Sequence, residues 1–157
     1  MEIRNEEDRW VIEEIDPFIA ELLRILPECA APDDDPARKR IFTTPTAGQD
    51  TAADEDWHEY VEPQLRELFK SHTDIAAADI AAMEMRDDLA SLTIPFANGR
   101  AWIHTLNQAR LALGARHGVT ESDTEGLSRL NGEKGFAVMQ IDFYAMILSV
   151  LLSRTEL

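Results

Sequence analysis

The chain has 157 residues and a mass of 17.7 kDa, a length that fits one domain able to bury roughly 70% of its unfolded surface. Thirty acidic residues against fifteen basic ones give a formal charge of −15 and a pI near 4.5. Such a surface repels phosphate backbones and anionic lipid, which argues against autonomous binding of DNA or RNA.

No uninterrupted apolar run reaches the roughly 18 residues that a membrane helix needs. The acidic start MEIRNEEDRW lacks the basic and apolar regions of a signal peptide. Cys29 is the single cysteine, so no disulfide forms within one chain, which fits a reducing compartment. The expectation is a cytoplasmic protein with no membrane association.

Arg9 to Ile15 (RWVIEEI) reads as a short strand or extended arm. Asp16-Pro17 then starts a helix, with Asp as cap and Pro at the first helical position. Phe18, Ile19, Leu22, Leu23 and Leu26 recur at helical spacing, and Pro27 is expected to end the helix. From about residue 30 to 54 the chain is rich in Pro, Asp and Thr and reads as one long mobile loop. The basic run Arg38-Lys39-Arg40 lies inside it, before Ile41-Phe42. The expectation is a solvated loop pinned by Phe42, with a partner-docking segment as the sharper alternative.

A second helix is expected from about Asp56, where Trp57, Tyr60, Val61, Leu65, Leu68 and Phe69 form a stripe that Pro63 must kink or divide. A third runs from Ile75 to about Ser91, capped by Asp74. Thr93 to Gly99 reads as a connector. Trp102 to Val119 (WIHTLNQARLALGARHGV) is the clearest helix, with Trp102, Leu106, Ala109 and Leu113 on one stripe and Gly118 as a left-handed stop. Gly114 inside it costs about 1 kcal/mol relative to Ala, and close approach of another backbone is expected to compensate. Val119 to Lys134 is a linker, with a helical turn around Gly126 to Leu130. Phe136 to Leu152 is apolar on most faces, broken by Gln140 and Asp142, as expected of a helix buried in a bundle or between two subunits.

Around Leu106-Asn107-Gln108-Ala109-Arg110-Leu111-Ala112-Leu113-Gly114, continued by Arg116, Gly118, Val119, Thr120 and Glu121, the chain resembles the bacterial domain-of-unknown-function family 2017. Trp102 corresponds to the aromatic that precedes the family signature, and Phe136–Leu152 to the apolar helix that follows it. His117 departs from the apolar residue usual there, and the 30–54 segment matches no family pattern. The resemblance implies a regulatory role, and transcriptional control linked to oxidative stress has been attached to the family. A redox role resting on paired cysteines would be closed to one subunit of this chain.

Chemistry-bearing groups are sparse. Asn107 and Arg110 share a helix face at i and i+3. They could grip a carboxylate or phosphate, or tie helices together with Arg110 on an acidic partner; the structural role is favoured because acids abound. Glu55-x-x-His58 has the spacing of a di-iron ligand pair, yet no second copy exists at His72, His104 or His117. His58 with Glu62 is at most a weak metal pair. Cys29 sits in acidic surroundings that raise a thiol pKa. Asn131 to Gly135 lacks the ending of a phosphate loop, and the acidic runs Glu6–Asp8 and Asp33–Asp35 lack calcium-loop spacing.

These readings converge on a mainly α domain spanning 1–157, a bundle of about five helices with a short N-terminal strand, pairing as a homodimer through the C-terminal helix. The leading function is a non-catalytic regulatory or protein-interaction module without metal or cofactor. The alternatives are a transcriptional regulator that contacts DNA directly or through a partner, and a small-ligand-binding bundle using Asn107, Arg110 and His104.

Overall fold

In the computed structural model, residues 1–125 and 132–154 are described, and within them the fold is mainly helical with a small sheet. The N-terminal strand is present and has company. Strand β1 (Glu2–Asn5) and strand β2 (Arg9–Ile15) form an antiparallel hairpin, closed by Glu6 N–H donating to Arg9 C=O at 2.9 Å. Strand β2 also pairs with strand β4 (Leu89–Pro95), whose far side carries strand β3 (Glu84–Arg86); the order is β1-β2-β4-β3, antiparallel throughout. The register slips between Ile12 and Ile15, where Glu14 takes φ 54°. That extra residue turns Ile12 and Ile15 to the same side, and both are fully buried.

The β3–β4 hairpin corrects the sequence reading, which ran a helix through Ser91 and called Thr93–Gly99 a connector. Its turn is Asp87-Asp88, with Asp87 at φ 55°, a left-handed conformation that Asp tolerates. Ala90, Leu92 and Ile94 are buried while Thr93 is exposed. That period of two belongs to a half-buried strand.

Helix α1 (Pro17–Arg24) begins as its sequence dictates: the Asp16 carboxylate accepts the Ile19 N–H at 2.8 Å. Pro27 does not end helical structure. It sits in the first turn of helix α2 (Leu26–Ala30), where its missing N–H costs nothing. The 30–54 segment is not one loop, since helix α3 (Asp35–Ile41) lies inside it and helix α4 (Thr51–Tyr60) starts there under an Asp50 cap. Asp54 holds the turn between them, accepting from the Thr46 hydroxyl and the Gly48 N–H, each at 2.7 Å, and from the Thr46 N–H at 3.1 Å. Phe42 is buried against Phe69, with ring centroids 5.6 Å apart.

Pro63 divides the next stripe as expected, and helix α5 (Glu62–Ala81) follows directly. Tyr60, Val61 and Leu68 point outward and Trp57, Leu65 and Phe69 are only half-buried, so that stripe lies outside the core. Helix α5 runs unbroken through Asp74, where a separate third helix was expected to start. A short 3-10 turn (Phe96–Asn98) leads into helix α6 (Gly99–His117), stopped by Gly118 at φ 58°. Helix α7 (Glu121–Glu125) and helix α8 (Gly132–Arg154) complete the chain. The turn expected around Gly126–Leu130 lies outside the described residues. The helices outnumber the five expected because Pro27 restarts the helix rather than closing it, and because α3 and α7 lie in segments read as loop and linker.

Helix α6 is the hub, packed by α2, α3, α5 and α8. Its Trp102, Leu106, Ala109 and Leu113 join Trp10, Ile12, Leu92 and Ile94 of the sheet and Tyr144, Ile147 and Leu151 of α8 in one core. Gly99 allows the closest approach: a Cβ there would lie 2.8 Å from the Trp10 ring. By length and composition alone α8 could cross a membrane, although here one side of it, including Ala137, Tyr144 and Ile147, is buried in the core.

Candidate functional site

The polar side of α6 divides into residues that hold the fold and residues left open. Gln108, buried, donates its amide to the Ala30 carbonyl. Arg116 donates through Nε to Asp34 at 3.0 Å, through Nη1 to the Cys29 carbonyl at 2.8 Å, and through Nη2 to the Ala31 carbonyl. These two residues satisfy the end of α2, whose last carbonyls have no partner in their own helix. The helix-tying role considered for Asn107 and Arg110 is therefore carried by their neighbours.

Arg110 makes no hydrogen bond or ion pair among the described residues, and its Nε is buried without an acceptor. It lines an open cavity of about 550 Å³ together with Asn107, Arg40 of α3 and Gly114. His104 faces elsewhere. It lines a small cavity of about 90 Å³ with Asn107 and Phe69, and its ring stacks on His72 of α5 with centroids 4.8 Å apart and planes 9° from parallel. The three candidates thus fall on two adjacent hollows that share Asn107. Gly114 also differs from expectation: a Cβ there would meet nothing within 4 Å, so no backbone approaches it and its bare face opens onto the larger cavity.

Sequence reading missed Arg40, which lay in a segment taken as loop. The signal was the run Arg38-Lys39-Arg40, three consecutive bases in an acidic chain. Arg38 is spent internally, since its guanidinium bonds buried Glu62 at 3.3 Å. Glu62 also meets His58 at 3.0 Å and Arg66 at 3.5 Å. Burial works to raise the Glu62 carboxyl, but the Arg38 and His58 bonds win and hold it below its ordinary value. On the 540 Å³ hollow beside this cluster, Arg38, His58 and Glu62 are already paired with one another. The His58–Glu62 pair is thus part of an ion cluster that joins α3, α4 and α5.

Cys29 is half-buried and accepts from the Gln140 amide at 3.5 Å. Burial pushes its thiol up, which keeps it protonated and a poor nucleophile at neutral pH. Tyr144 behind it donates to the Leu22 carbonyl at 2.7 Å, and burial raises its hydroxyl strongly. Among the described residues no group of three or more His, Cys, Asp or Glu is placed to hold a metal ion.

Sheet, helix hub and open groove together define a mainly helical domain whose distinctive polar feature is an arginine on its central helix that is unpaired among the described residues. The chain belongs to the family described as domain of unknown function 2017, whose model matches residues 6–154. No curated protein and no solved structure matches the chain.

Proposed function

We propose that the protein is a non-catalytic, cytoplasmic interaction module that acts through protein contacts and pairs with a second copy of itself through α8. The observation that carries this reading is the outward face of that helix. Phe136 and Met146 are exposed, and Met139, Phe143 and Val150 are half-buried. They repeat at alternating spacings of three and four, the stripe of a helix that packs against another helix.

A second copy fits this stripe better than a different partner does. Centred on Phe143, an antiparallel pairing sets Phe136 against Val150 and Met139 against Met146, so the stripe is complementary to itself. Two chains of charge −15 repel. That repulsion is weakest along α8, where Asp142 is the sole ionisable side chain from Phe136 to Ser153 apart from buried Tyr144. A face built for an unlike, basic partner would carry acids.

Sedimentation equilibrium tests the reading: the native chain is expected as a dimer and Met146→Lys as a folded monomer. A native protein that stays monomeric at about 100 μM, where even a weak dimer populates, overturns it.

A further inference from the structure

An arginine left open in this molecule is not short of acids. Thirty acidic residues serve fifteen basic ones, and Arg116, on the same helix, takes a carboxylate and two carbonyls. Among the described residues Arg110 takes none, although its Nε is sealed from solvent without an acceptor. A buried N–H loses water and regains nothing until an acceptor arrives.

Three further features converge on the same groove. Arg40, reaching from α3, is likewise without an ion pair or side-chain hydrogen bond among the described residues. Asn107 adds an amide, which donates as well as accepts. Gly114 keeps the wall bare, at the expense of helix propensity, in a place where a side chain would meet no atom of the fold. Among the described residues Glu121 is the one carboxylate on the wall, and it is engaged in an interaction of its own.

We propose that this groove binds a small molecule bearing an oxyanion, a phosphate or paired carboxylates, held by the forks of Arg110 and Arg40 with the Asn107 amide beside them. Guanidinium groups match such oxygens two at a time, and about 550 Å³ is the size of a small-molecule site. The charge of −15 selects against extended polyanions, because their many phosphates feel the whole surface while a compact anion feels mainly the two nearby cations.

Isothermal titration of the full chain at about 50 mM ionic strength, where surface charge is only partly screened, tests this with pyrophosphate, citrate, inorganic phosphate and an acidic peptide as probes and chloride at equal ionic strength as control. Saturable one-to-one binding of pyrophosphate or citrate is expected. Arg110→Met should weaken it about tenfold or more, the effect of losing one charged hydrogen bond. Gly114→Leu should abolish it while melting no lower than the native chain, so the test survives even if Arg110→Met fails to fold. Binding is also expected in monomeric Met146→Lys, which separates this site from the α8 contact. No heat beyond the chloride control, equal binding by native and Gly114→Leu protein, or binding of an acidic peptide alone would each overturn the proposal.

Discussion

The indole N–H of Trp102 donates to the Asp79 carboxylate at 2.8 Å, and the Asn98 amide reaches the same carboxylate at 3.0 Å. Trp102 is fully buried, so one side chain of α5 satisfies the polar edge of the largest residue of α6 and fixes where the two helices cross. Asp79→Ala strands a buried indole donor and is expected to cost about 1.5–3 kcal/mol in urea unfolding, the range for a hydrogen bond to a charged group. Asp79→Asn keeps an acceptor and should lose less. Equal losses from the two variants would show that packing alone holds this crossing.

Two glycines of α6 should respond in opposite directions to the same substitution. Gly99→Ala drives a Cβ to 2.8 Å from the Trp10 ring, and Trp10 is buried edge-on against Phe96 with centroids 4.5 Å apart. The ring cannot retreat without disturbing the β2 face, so a loss of about 1–3 kcal/mol is expected. Gly114→Ala meets nothing within 4 Å and should gain about 1 kcal/mol of helix propensity. Thermal melts of the two variants with the native chain decide it, and a Gly114→Ala variant that melts lower would contradict the open groove.

Acid should release the Glu62 cluster. Its carboxyl is held below the ordinary value of 4.5, against the effect of burial, by Arg38 and His58. A carboxyl depressed in the folded state contributes its stability in full above the unfolded pKa, and loses it as pH falls through the folded value. Glu62→Gln should therefore be less stable than the native chain at neutral pH, with the two converging as pH drops below about 4.5. Urea midpoints measured across that range report the difference. A constant gap at every pH would mean that the loss comes from packing and not from charge.

The elements read correctly from sequence carried local chemical signals: Asp16-Pro17 for a helix start and Gly118 for a stop. Those misread were set by partners distant in sequence. Helix α3 buries only Ala37 and has no apolar stripe to betray it, while α4, read from Trp57 and Tyr60 as starting near Asp56, begins earlier on its Asp50 cap. Strands β3 and β4 follow an Ala-rich helix without a Pro or Gly between: the helix ends at Ala81 and the hairpin turns at Asp87, residue types equally at home on a helix surface. The candidate site shows the same split. Asn107 and Arg110 are visible as polar residues in an apolar helix. Arg40 joins them only because α3 packs across α6, and the empty space at Gly114 exists only once the neighbouring helices are in place.

His72, whose imidazole stacks on that of His104, gives the fold a second pH response, separate from that of Glu62. Burial lowers the His72 pKa from its ordinary 6.5, and the neighbouring His104 and Arg100 lower it further. Its Nδ1 is buried without a partner, so nothing there welcomes a second proton. A base depressed in the folded state contributes its stability in full above the unfolded pKa and loses it as pH falls through the folded one. Native stability should therefore decline as pH drops below about 6.5, well before the Glu62 cluster responds. His72→Phe keeps a flat ring against His104 but carries no proton, and should flatten that part of the curve. Urea midpoints at about pH 7.5 and about pH 5.5 straddle the onset of the decline, and an unchanged slope between them in the variant would place the titration elsewhere.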